Sequence, residues 1–190
     1  MWKKLLFIIF LFYLFALLQN SFLTHFSLFG ATPNLVFILF FLFVFFEGVP
    51  GVSSESFLGH SSRSYVVILL ALAAGFFLDI FSYTYLGPSI VFLIIISFLL
   101  KGTQSLLKSR KDNYPLVYFL PLFVVFWGIY NLLLSLYFYF IDSNKIIISF
   151  GTETIFAVIY NLVIASVLFY LYKKALSAVA SNNQPALFRK

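Results

Sequence analysis

The stretch from Tyr65 to Leu100, YVVILLALAAGFFLDIFSYTYLGPSIVFLIIISFLL, decides the fold. It is apolar almost throughout and is interrupted by Ser82-Tyr83-Thr84-Tyr85-Leu86-Gly87-Pro88. As one helix it would run about 54 Å, far more than the roughly 30 Å of hydrocarbon in a bilayer. Gly87 and Pro88 supply a break, because glycine tolerates a tight turn and proline cannot continue a preceding helix. Residues 65–100 therefore predict two short membrane-crossing helices joined by a tight turn.

Four more apolar stretches flank this pair: Leu5 to Leu23, Thr32 to Glu47, Tyr114 to Ile141, and Thr152 to Tyr172. Each approaches the ~20 residues of a helical span. Thr32-Pro33 reads as an N-cap followed by proline at the first helical position. The expectation is an all-α integral membrane protein of six transmembrane helices. It forms a single domain over residues 1–172, with a cytoplasmic basic tail over 173–190. Residues 47–64, rich in Gly, Pro and Ser, read as a cytoplasmic loop.

Charge sets the orientation. With the N-terminus inside, Lys3, Lys4, Arg63, Lys101, Lys108, Arg110, Lys111, Lys173, Lys174, Arg189 and Lys190 fall inside, and Lys145 alone falls outside. Eleven against one is a strong positive-inside bias. Merging the third and fourth helices would put the later basic clusters on the wrong side. Lys3-Lys4 before an apolar run resembles a signal peptide. The run is long for one, however, and Gln19-Asn20-Ser21-Phe22 offers no small-x-small cleavage site, so a retained first helix is expected.

Composition agrees. Of 190 residues, 63% are hydrophobic and 9% charged, against about 25% charged in soluble domains. The absence of cysteine excludes disulfides and thiolate chemistry. The net charge of +6 comes from clusters beside apolar runs. That is the pattern of membrane anchoring by Lys3, Lys4, Lys108, Arg110, Lys111, Lys173 and Lys174 on an anionic bilayer, not of nucleic-acid binding. The 28 phenylalanines reflect composition as much as function, so no single one is read as a site.

Few residues could carry chemistry. Asp79 is the only acidic residue inside a span, where an ionisable group is costly and suggests function. It stands near a helix C-terminus, where negative charge is unfavourable, so it needs partners. Candidates are the free N–H groups opening the fourth helix after Gly87-Pro88 and the hydroxyls of Ser82 and Thr84. A structural acceptor role is favoured over a proton relay. Asn131 and Asn161 lie about 15 and 14 Å below the outer surface on sequential helices, which predicts a cross-helix amide bond. The alternative is contact with a polar ligand. His25 and His60 fall on opposite sides of the membrane and cannot share a site. No metal, cofactor or catalytic activity is expected.

Pro33-Asn34-Leu35 at the second helix, and Gly75-Phe76-Phe77-Leu78-Asp79-Ile80-Phe81-Ser82 running into Gly87, carry a resemblance. In that order and spacing they resemble the rod shape-determining protein MreD family. Asn161 followed by an apolar run and Lys173-Lys174 matches the family's last helix. The loop 47–64 is longer than the family's. The resemblance implies a fold like the substrate-binding subunits of energy-coupling-factor transporters, six helices around an outward-open cavity. It implies a non-enzymatic scaffold of the bacterial inner membrane, serving cell elongation and peptidoglycan synthesis. Its implied partners are a single-span protein such as MreC, the actin-like MreB, and the RodA and PBP2 synthases. The competing expectation is a substrate-binding subunit of a vitamin-type transporter.

Overall fold

A computed structural model describes residues 2–27, 30–47, 63–82, 85–107, 115–141 and 152–182. These form six α-helices: α1 (Trp2–Leu17), α2 (Leu35–Glu47), α3 (Arg63–Phe81), α4 (Pro88–Leu107), α5 (Pro115–Ile141) and α6 (Thr152–Asn182). A π-helical turn, Leu18–Phe22, and a 3-10 turn, Leu23–Phe26, continue α1. Three stretches, Leu6–Phe26, Leu116–Ile141 and Glu153–Ala175, are long and apolar enough to cross a bilayer. Three others, Leu35–Phe46, Tyr65–Phe81 and Pro88–Thr103, are shorter apolar helices. Helices are the expected solution in lipid, because each satisfies its own main-chain hydrogen bonds. Among the described residues the fold is helical, with three helices long and apolar enough to cross a membrane.

The break between α3 and α4 falls within Ser82–Pro88. Gly87 there takes φ +127°, a conformation that a side chain would strain, and Pro88 opens α4. Two boundaries differ from the sequence expectation. The second helix begins at Leu35 and not at Thr32, with Asn34 as its cap. The last helix runs past Lys173-Lys174 to Asn182, since alanine-rich sequence favours continued helix over a frayed tail. The proposed loop 47–64 lies, from 48 to 62, outside the described residues, as do His60, Lys108, Arg110, Lys111 and Lys145.

The architecture centres on α2. It packs against all five other helices, and every residue from Leu35 to Phe46 except Phe43 is at most 5% exposed. A helix apolar on all sides has no solvent face to orient, so it belongs in the middle. Around it the contacts run α1 to α3, α3 to α4, α4 to α5 and α5 to α6. This leaves a seam between α1 and α6 over α2.

The phenylalanines hold this centre together. Phe37, Phe41 and Phe45, four residues apart, stack along α2 with interplanar angles of 20° and 22°. Phe119 and Phe123 stack likewise on α5, at 18°. The two ladders interlock edge to face: Phe41 meets Phe123 at 5.4 Å and 81°, and Phe45 meets Phe119 at 5.1 Å and 83°. Edge-to-face packing matches the positive ring edge to the negative face. Phenylalanine here is the packing material of the core, which a compositional reading misses.

Where α3 crosses α4, Gly75 admits close contact. A Cβ at this position would lie 2.5 Å from the Ile90 Cα and 2.6 Å from its nitrogen. The α3–α4 hairpin is therefore packed backbone on backbone, as small residues allow in membranes.

Candidate functional site

The starts of α2 and α4, the end of α3 and the last turns of the α1 extension meet at one end of the bundle. A helix start leaves N–H groups with no partner in its own helix. Buried in an apolar bundle, each unsatisfied group costs about 1–3 kcal/mol. The polar side chains at this end answer that cost.

For α4 the partner is Asp79, which is 2% exposed. Its Oδ2 accepts from the Gly87 N–H at 2.7 Å and its Oδ1 from the Ser89 N–H at 3.0 Å. Pro88, between them, has no N–H to satisfy. The carboxyl thus spans the turn and lies at the positive end of α4, where a negative group is favoured. Ser82 donates its hydroxyl to the Asp79 main-chain carbonyl at 3.0 Å. Thr84 lies outside the described residues. Ser89 carries the linkage onward, its Oγ lying 3.0 Å from the Tyr130 hydroxyl of α5.

For α2 the partners come from three places. Asn34 Oδ1 accepts from the Phe37 N–H at 3.0 Å, a cap made by the residue itself. The Asn34 N–H donates to Asn161 Oδ1 of α6 at 2.8 Å. The Val36 N–H reaches Gln19 Oε1, in the π turn, at 3.4 Å. Asn161 is 1% exposed and anchors its amide by donating to the Ala157 carbonyl at 2.7 Å. Pro33, also buried, precedes the cap.

The expected Asn131–Asn161 bond is not made. Asn131 donates to the Trp127 carbonyl in its own helix at 2.8 Å, while Asn161 is taken by α2. The physical reason is the central position of α2, whose start presents an N–H that must be satisfied where Asn161 stands. Equal depth on sequential helices does not make two side chains face each other.

Two polar groupings result, one tying α3, α4 and α5, the other α1, α2 and α6. Phe37 and Tyr130 link them, with ring centroids 5.1 Å apart. Between the groupings lies a cavity of about 200 Å³, with Gln19, Asn20, Asn34, Ser82, Ser89, Tyr130 and Asn131 among its lining residues. The lining offers amides and hydroxyls that could orient a small polar molecule. Among the described residues no group of three His, Cys, Asp or Glu could hold a metal ion.

Sequence reasoning missed Gln19, Ser89 and Tyr130. Gln19 sat inside a stretch read only for cleavage, and Ser89 and Tyr130 matter through a contact between α4 and α5. Lys3 and Lys4 lie in the first turn of α1, and Lys173 and Lys174 are exposed near the end of α6. No family model, curated protein or solved structure matches the chain.

Proposed function

We propose that this chain is a non-enzymatic membrane scaffold of the bacterial cell-elongation machinery, with six crossings and both termini in the cytoplasm, that holds a single-span partner of the MreC kind. The observation that carries this reading is the use made of the polar residues behind the MreD resemblance. Asn34, Asp79, Gly87 and Asn161 spend their polar atoms, or their backbone freedom, on joints between helices. Gly75 sets a helix crossing. Residues used this way build a rigid frame, which is what a scaffold requires.

A face for the partner helix lies between α5 and α6. There Pro121, Val124, Val163 and Ser166 line an apolar groove of about 340 Å³. Small and β-branched side chains let a second helix come close, the basis of association in membranes. A photo-crosslinker at Val163, which is 56% exposed, should capture a bitopic protein with an extracytoplasmic coiled coil in native membranes. Purification without such a protein would sink the scaffold reading.

The amides and hydroxyls lining the polar cavity, among them Gln19, Asn20 and Asn131, support a second reading, a substrate-binding subunit of a small-molecule transporter. That reading expects a vitamin-like compound to co-purify in stoichiometric amount, identified by mass spectrometry of the denatured sample.

A further inference from the structure

The seam between α1 and α6 is a third concavity, of about 290 Å³, at the end of the bundle opposite the polar cavity. Phe7 and Leu11 of α1, Leu42 and Phe43 of α2, and Leu171 and Ala175 of α6 help to line it. Its walls end in charge. Lys3 and Lys4 stand in the first turn of α1, one turn before Phe7 and Ile8. Lys173 and Lys174 stand beside Ala175 on α6, and both are exposed. Glu47, which ends α2 four residues after Phe43, is the one acidic residue of these three helices at that end, against four lysines.

We propose that this seam is a binding site for one anionic phospholipid, its acyl chain lying over α2 between α1 and α6 and its phosphate held by the lysines at the seam's end. The charge argues for this occupant: basic residues come from both walls, and basic pockets between transmembrane helices select anionic head groups. The shape argues for a chain over a helix. The lining is built of large side chains such as Phe7, Leu11, Phe43 and Leu171, whereas close helix association in membranes favours small residues. The proposal does not depend on the scaffold reading, because it rests on other residues at the other end.

The test uses the full chain, solubilised from bilayers containing equal phosphatidylglycerol and phosphatidylcholine and examined by native mass spectrometry. One phosphatidylglycerol per chain should survive delipidation steps that strip phosphatidylcholine. The double variant Lys173→Gln with Lys174→Gln should lower that retention at least about fivefold, leaving Lys3 and Lys4 to orient the chain. Ala175→Trp, at the exposed edge of the seam, should lower it with all lysines intact. The triple variant Lys108→Gln, Arg110→Gln, Lys111→Gln removes three positive charges, one more than the double variant, from another part of the sequence and should leave it unchanged. Equal retention of both lipids overturns the proposal, as does an equal loss in the triple variant, which would indicate general surface charge. Capture of a protein helix by a crosslinker at Leu171, in place of lipid, also overturns it.

Discussion

Asp79 shows how one residue can close a turn in a membrane. A sequence reading gives it an acceptor role toward the start of α4 and expects asparagine, which keeps one acceptor oxygen, largely to preserve folding. The structure shows both oxygens in use, one on the Gly87 N–H and one on the Ser89 N–H. Asparagine retains one oxygen and sets an NH2 group against the other donor. The expected order of stability is therefore Asp79, then Asp79→Asn, then Asp79→Leu, with each lost acceptor costing about 1–3 kcal/mol. Unfolding in graded denaturant from detergent, together with membrane abundance and cell width, checks this order. A proton relay predicts another pattern: equal functional loss for Asn and Leu at normal abundance. The location of Asp79 within a span was legible in the sequence, but the number of its partners was not. That number depends on how closely the backbone of α4 returns.

At the scale of the element, the α3–α4 hairpin and the start of α2 carry the specificity. Gly75→Ala would force a Cβ against the Ile90 backbone, which cannot rotate away as a side chain could. Overpacking of this kind costs about 1–3 kcal/mol. Gly128→Ala on α5 meets no heavy atom within 4 Å and should be neutral or slightly stabilising through helix propensity. Thermal denaturation of the two variants in the same detergent gives the comparison, and equal behaviour would show that the α3–α4 crossing tolerates separation. The α2 start shows where pattern reading fails. Thr32-Pro33 has the composition of a helix opening, yet Asn34 caps the helix, because its side chain reaches Phe37 and its N–H reaches Asn161. Long-range partners moved the boundary.

At the scale of the molecule, orientation follows from charge. Cysteines placed at positions 27 and 145 should react with an impermeant reagent on intact cells, and cysteines at 60 and 108 should react only after permeabilisation. Labelling of position 108 from outside would refute six crossings with both ends inside. This expectation rests on the eleven-to-one distribution of basic residues, and on α2 crossing together with its neighbours. At 13 residues, α2 is about 20 Å long, so its start lies sunk in the bundle and its N–H groups are met by Gln19 and Asn161.

The sequence by itself determined the lipid environment, the helical class, the split at Gly87-Pro88 and the need of Asp79 for partners. These follow from composition and local spacing, which are properties of the chain read in order. Only the tertiary structure decided that α2 lies at the centre, that Asn161 serves Asn34 and not Asn131, and that Phe41 and Phe45 interlock with Phe119 and Phe123. It also decided that Gly75 meets Ile90. In lipid every helix face is apolar, so the amphipathic signal that tells a soluble helix which way to turn is missing. Which faces meet is then settled by packing shape and by the few buried N–H groups that must find an acceptor, and both depend on residues far apart in the chain.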